Sequence, residues 1–157
     1  MAVEKIIYVT PGEEKLGELT QVAKAQFKKL IQEVFSHERG KNIVLRMSEE
    51  NNQETKSLSL IYNAVGKDIG EGEAIYMHPL SNSADLEEVI ASTRKGETVI
   101  VGVSQKELKD VLDGLKSNGY NVVDKEKIHR KYNVYAVTID LKNKDNSGFF
   151  EAVWNGQ

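Results

Sequence analysis

Short apolar runs alternate along this chain with stretches in which apolar residues recur every three or four positions. The clearest case lies between Glu97 and Val123. Residues 99–103 are almost continuously apolar, as in a strand that is covered on both faces. Ser104 and Glu107 then form a Ser-x-x-Glu capping box, and apolar residues follow at helical spacing. This pattern predicts a strand, a crossover helix and a following strand, which is the repeating unit of an α/β fold.

The same two periods recur elsewhere. Apolar runs at 4–9, 43–47 and 74–78 predict three further strands. The longest apolar stripe, from Leu16 to Phe35, predicts a large amphipathic helix that covers much of the sheet. Residues 56–65 fit a strand as well as a short helix, and both interpretations stay open.

Apolar and polar residues alternate between Val134 and Leu141, which indicates a half-exposed strand in an antiparallel hairpin. The whole pattern predicts an α/β fold with a mostly parallel, Rossmann-like sheet of about five or six strands, roughly three or four helices and a C-terminal antiparallel hairpin. We expect residues 1–142 to form this domain and residues 143–157 to form a flexible spacer with an aromatic tail.

The segment NGYNVVDKEKIHRKYNVYAVTIDL, residues 118–141, resembles the terminal helix, strand and hairpin of Rossmann-like methyltransferases. The glycine-rich cofactor loop of that family has no counterpart after Val9. The resemblance therefore implies Rossmann-like architecture and assigns no role to a residue.

Composition narrows the class of protein. The chain has 157 residues, of which 39% are apolar and 29% charged, as expected for one globular domain. No apolar run reaches the roughly 18 residues of a membrane span, and no signal-peptide pattern opens the sequence. The absence of cysteine excludes thiol chemistry, and a cytoplasmic location is the expectation. A net charge of −3 makes nucleic acid an unfavoured partner.

Polar residues follow three of the predicted strands, where a parallel sheet and helix N-termini together favour anion binding. We predict an anionic or nucleotide-like ligand at Thr10, His78, Ser81, Asn82, Ser83 and Ser104. The alternative is that these side chains are ordinary helix caps.

Phe149, Phe150 and Trp154 form an aromatic cluster near the C-terminus. Such side chains must be covered, because large exposed aromatic groups mark interfaces. They either fold back on their own sheet or contact a second copy of the chain or another protein.

These features favour a small cytoplasmic binding or regulatory protein for an anionic ligand. The alternative is a homo-oligomeric interaction module that uses the last strand and the aromatic tail. A nucleic-acid binder with a basic loop and an enzyme with His78 as the acid–base group are less favoured. No catalytic set is assigned, and neither a metal nor a cofactor is predicted, because the three histidines lack ligand spacing.

Overall fold

The computed structural model describes residues 5–34, 42–48, 75–80, 85–91, 97–121 and 133–153, with the backbone alone for 42–48, 75–80, 97 and 146. The elements of these ranges follow in chain order. They are β1 Lys5–Val9, β2 Glu14–Lys15, β3 Glu18–Leu19, α1 Gln21–Glu33, β4 Asn42–Ser48, β5 Ile75–Leu80, α2 Leu86–Ala91, β6 Glu97–Gly102, α3 Gln105–Ser117, β7 Val134–Asp140, a 3-10 turn at Lys144–Asn146, and β8 Gly148–Ala152.

Within the described ranges, six strands form one mixed sheet in the order β5-β4-β6-β1-β7-β8. Strands β5, β4, β6 and β1 run parallel, whereas β7 is antiparallel to β1 and β8 is antiparallel to β7. The predicted α/β class is confirmed. The Rossmann-like, mostly parallel sheet is not confirmed, because the sheet is mixed: β1 pairs parallel with β6 and antiparallel with β7.

The central strands β1 and β6 are buried on both faces, in agreement with their continuous apolar runs. Because successive side chains of a strand point to opposite faces, Ile6 and Tyr8 pack in the core beneath α3. Ile7 and Val9 pack in a second core beneath α1, against Phe27. The sheet therefore separates two apolar layers, one covered by α1 and the other by α3 together with the short helix α2.

A short hairpin separates β1 from α1. Its strands β2 and β3 pair antiparallel, and its two-residue turn has φ 55° at Leu16 and 80° at Gly17. Positive φ at both central positions matches the twist of a tight hairpin, but it costs a residue with a Cβ about 1–2 kcal/mol. Helix α1 then begins after Thr20, whose hydroxyl accepts a hydrogen bond from the Ala23 N–H at 3.2 Å.

The C-terminal residues return to the sheet. Phe149 packs against the core beneath α3, and Phe150 packs against the core beneath α1. The range 143–157, which was predicted to form a spacer and a tail, thus includes a turn and a sheet strand as far as Ala152. Trp154 lies outside the described residues. In the described part of the chain, no helix is both long and apolar enough to cross a membrane.

Candidate functional site

The chain connections that follow strands β1 and β6 lead to opposite sides of the sheet. The two strands are parallel neighbours in the middle of the sheet. The next described strand of this sheet after β1 is β4, on one side of the pair, whereas the next after β6 is β7, on the other side. In open α/β sheets, ligands bind beyond the carboxyl ends of strands at such a point. We therefore take this edge as the candidate site.

Helix α3 begins at the same edge. The Val103 N–H donates to the Val9 carbonyl at 2.9 Å, so the ends of β6 and β1 are held together. The Ser104 hydroxyl accepts from the Glu107 N–H at 3.0 Å, and the Glu107 carboxylate accepts from the Ser104 N–H at 3.1 Å. The predicted capping box is thus present. It starts a helix of 13 residues, whose N-terminus carries a partial positive charge that favours an anion.

Thr10 is fully buried and fastens β1 to β7. Its hydroxyl accepts a hydrogen bond from the Tyr135 N–H at 2.8 Å, and its own N–H donates to the Tyr135 carbonyl at 3.0 Å. The hydroxyl thereby continues the β1–β7 ladder at the position where Pro11 turns the chain out of the sheet. Thr10 has a structural contact in the position where the sequence suggested a ligand contact.

Two amides beside Thr10 were not predicted from the sequence. Gln26 of α1 donates to the Asn133 side-chain carbonyl and to the Ala152 carbonyl, the latter at 2.9 Å. Asn133 in turn donates to the Glu151 carboxylate at 3.0 Å, and its backbone carbonyl accepts from the Gln105 amide at 3.0 Å. The only signal in the sequence was a glutamine inside the apolar stripe of α1. The network connects α1, α3, β7 and β8 at the edge where the candidate site lies.

The structure brings together only some of the predicted ligand residues. Thr10 and Ser104 follow adjacent strands. His78 lies in the edge strand β5, with β4 and β6 between it and β1. Three strand spacings separate it from β1, which corresponds to roughly 14 Å. In register, His78 aligns through Arg46 and Val101 with Tyr8, below the end of β1. Residues 81–83 lie outside the described ranges.

A buried tyrosine lies beneath this edge. Burial raises the pKa of the Tyr8 hydroxyl above its ordinary value, and the charge of Asp85 and the Tyr120 hydroxyl add to that shift. No described residue forms a hydrogen bond with this hydroxyl. The described residues also contain no group of histidine, aspartate and glutamate side chains that could hold a metal ion. The described groups at this edge are a helix N-terminus, hydroxyls, amides and carboxylates.

Solved structures of other proteins resemble this chain in fold. No protein-family model matches the chain, and no curated protein matches it. One similar structure is a protein from Agrobacterium tumefaciens assigned as the phosphohistidine phosphatase SixA, with 9% identity, a TM-score of 0.55, and coverage of 96% of this chain and 98% of that chain. Another is the phosphoglycerate mutase of Plasmodium falciparum, with 11% identity, a TM-score of 0.48, and coverage of 97% and 91%.

These comparisons correct the functional hypothesis drawn from the sequence. The hypothesis of a small binding or regulatory protein, and its alternative of an interaction module, are contradicted by a fold that matches an assigned phosphatase over nearly the whole of both chains. Hydroxyls that follow strands are compatible with ligand binding and with catalysis alike, so the sequence pattern does not distinguish the two functions. At 9% identity the likeness establishes the fold and transfers no residue role.

Proposed function

We propose that this protein is a phosphatase-like enzyme that acts on a phosphoryl group bound at the β1–β6 edge, in front of the N-terminus of α3. The observation that supports this proposal is the coincidence of two features. The fold resembles that of an assigned phosphohistidine phosphatase over 96% of the chain. A capped helix N-terminus lies at the point where the strand connections diverge, which is where such folds bind ligands.

The chemistry suits this edge because phosphoryl transfer depends mainly on positioning and on electrostatic stabilisation of the phosphoryl oxygens. The α3 N-terminus supplies a positive potential, and the half-buried Ser104 has a hydroxyl proton to donate. The loops 10–13 and 103–105 contain neither histidine nor cysteine. In the proposed reaction, a water oxygen therefore attacks phosphorus and the bond from phosphorus to the leaving oxygen or nitrogen breaks.

Glu13 is the proposed general base for that water. It follows β1 by a few residues and is partly buried, and the Lys15 ammonium lies 3.9 Å from its carboxylate. Glu107, the other carboxylate of these two junctions, is already engaged by the Ser104 N–H. The Glu13 carboxylate would accept a proton from the attacking water while the leaving group gains one from solvent.

A pair of substitutions at Ser104 tests the location of the site. Asp and Asn cap a helix about as well as Ser, so Ser104→Asp and Ser104→Asn both preserve folding. Only Asp adds a negative charge beside the bound phosphoryl group. We expect release of inorganic phosphate from phosphoramidate and from p-nitrophenyl phosphate to fall at least about tenfold in kcat/KM for Ser104→Asp, because like charges in close contact repel by more than 1.4 kcal/mol.

The Asn variant is the matched control and should stay within a few-fold of the parent. Equal activities of the Asp and Asn variants would contradict a site at the α3 N-terminus. Glu13→Gln tests the base separately, and we expect it to lower kcat by about 10²–10⁴-fold with little change in KM. Failure of the parent to release phosphate from either compound would contradict the proposed activity.

A further inference from the structure

The β2–β3 hairpin projects from the loop that follows β1. Its base is closed by a hydrogen bond from the Thr20 N–H to the Glu13 carbonyl at 3.0 Å. Its two short strands pair Glu14 with Leu19 and Lys15 with Glu18. The hairpin is thus fastened at one end to the proposed general base and at the other to the start of α1. Any molecule that contacts its tip is held at a fixed position relative to the candidate site.

The tip carries an apolar side chain in an unfavourable backbone conformation. Leu16 has a relative exposure of 104%, and it is the only fully exposed large apolar side chain among the described residues. Its φ of 55° is one that Asn or Gly would adopt with less strain. An isolated exposed leucine is ordinary, but an exposed leucine at a position that favours Asn or Gly is not. Strain of this kind points to a function for the side chain.

The charges around the tip define what would bind there. The hairpin and its base have three carboxylates, those of Glu13, Glu14 and Glu18, and one ammonium group, that of Lys15, which lies 3.9 Å from the Glu13 carboxylate. The hairpin thus has a net charge of −2 from these four side chains. A complementary partner has an apolar residue to cover Leu16 and basic residues to meet the carboxylates. A small phosphorylated metabolite has neither, whereas a segment of a protein has both.

We propose that this hairpin is a docking element for a protein substrate, in which an apolar residue flanked by lysine or arginine lies near the phosphorylated side chain. That the bound protein is a substrate rests on the proposed phosphatase function, whereas the presence of a docking surface does not. In this arrangement Leu16 contacts the apolar residue, and Glu14 and Glu18 face its basic neighbours. The loop that carries Glu13 then approaches the phosphorylated side chain.

The test uses binding of unphosphorylated peptides, so that it does not depend on turnover. The probe is a peptide with two leucines flanked on each side by two arginines, and the controls replace the leucines with glycine or the arginines with glutamate. We expect the Leu16 methyl signals in NMR spectra of the full chain to shift saturably with the probe and not with either control. Leu16→Asn should weaken binding at least tenfold and raise the unfolding temperature, whereas Leu16→Met should bind as the parent does.

The outcomes separate the two proposals. Loss of peptide binding in Leu16→Asn alone, with unchanged turnover of p-nitrophenyl phosphate, supports the docking element. Equal binding by Leu16→Asn and the parent, or no binding of the probe by the parent, overturns it whether or not phosphate is released. Selective peptide binding without phosphate release from any compound supports the docking element while contradicting the phosphatase function.

Discussion

The contact between Thr10 and Tyr135 provides a quantitative test of how the candidate site is held together. Thr10→Val preserves the size of the side chain but removes the acceptor for the buried Tyr135 N–H, which now lies 2.8 Å from the hydroxyl. A buried donor without a partner costs about 1–3 kcal/mol. Thr10→Ser keeps the acceptor and loses one methyl group, which costs about 0.8 kcal/mol from reduced apolar burial.

We therefore expect the valine variant to be less stable than the serine variant. Urea unfolding followed by circular dichroism measures both, and the slope against urea should remain that of the parent. For a chain of this length, a loss of about 1–3 kcal/mol lowers the unfolding temperature by roughly 2–12 °C. If the free energy of unfolding of Thr10→Val lies within about 0.5 kcal/mol of the parent value, a difference typical of surface substitutions, the hydroxyl does not fasten β1 to β7.

Two further predictions concern packing and ionisation, both measured by unfolding. Gly12→Ala should destabilise the protein by about 1–3 kcal/mol, because the added Cβ would lie 2.7 Å from the Phe27 ring and 2.8 Å from the Ala23 Cβ. Gly114→Ala is the matched change within α3, where nothing lies within 4 Å of the added Cβ, and it should stabilise the protein by about 0.5–1 kcal/mol. Destabilisation of equal size in both variants would contradict the packing of the loop against α1. Burial raises the pKa of Tyr8 in the folded state, so the stability that its neutral form contributes is complete below about pH 10 and is lost as pH rises further. Tyr8→Phe should therefore reduce the loss of stability at alkaline pH, while stability at neutral pH stays unchanged or rises. An unchanged dependence of stability on alkaline pH would show that this hydroxyl does not ionise on unfolding.

The sequence predicted those elements whose signals all lie within one short stretch of the chain. The β6–α3 unit was predicted because a continuous apolar run, a capping box and a helical period all lie within one stretch of sequence. The β2–β3 hairpin escaped prediction because strands of two residues are too short for an alternating pattern. Leu16 added to the difficulty, since turns with positive φ normally signal themselves by Asn or Gly.

The features that the sequence did not predict depend on contacts between residues that are far apart in the chain. Whether a hydroxyl after a strand binds a ligand or another strand depends on the neighbouring strand, and the partner of Thr10 is 125 residues away in sequence. The separation of His78 from Thr10 likewise follows from the insertion of β4 and β6 between their strands. The amide pair of Gln26 and Asn133 joins two elements that no local pattern connects. These are consequences of topology, which periodicity does not encode.

The most direct test of the central claim is to locate phosphate on the protein. In a titration of the full chain with inorganic phosphate, followed by amide NMR, we expect saturable shifts of the amide signals at the start of α3, residues 105–107. The far end of α3, residues 115–117, serves as the reference and should shift little, and Ser104→Asp should abolish the response at the start of the helix. Shifts of equal size at both ends of α3, or none at its start, would contradict a phosphoryl site at the β1–β6 edge.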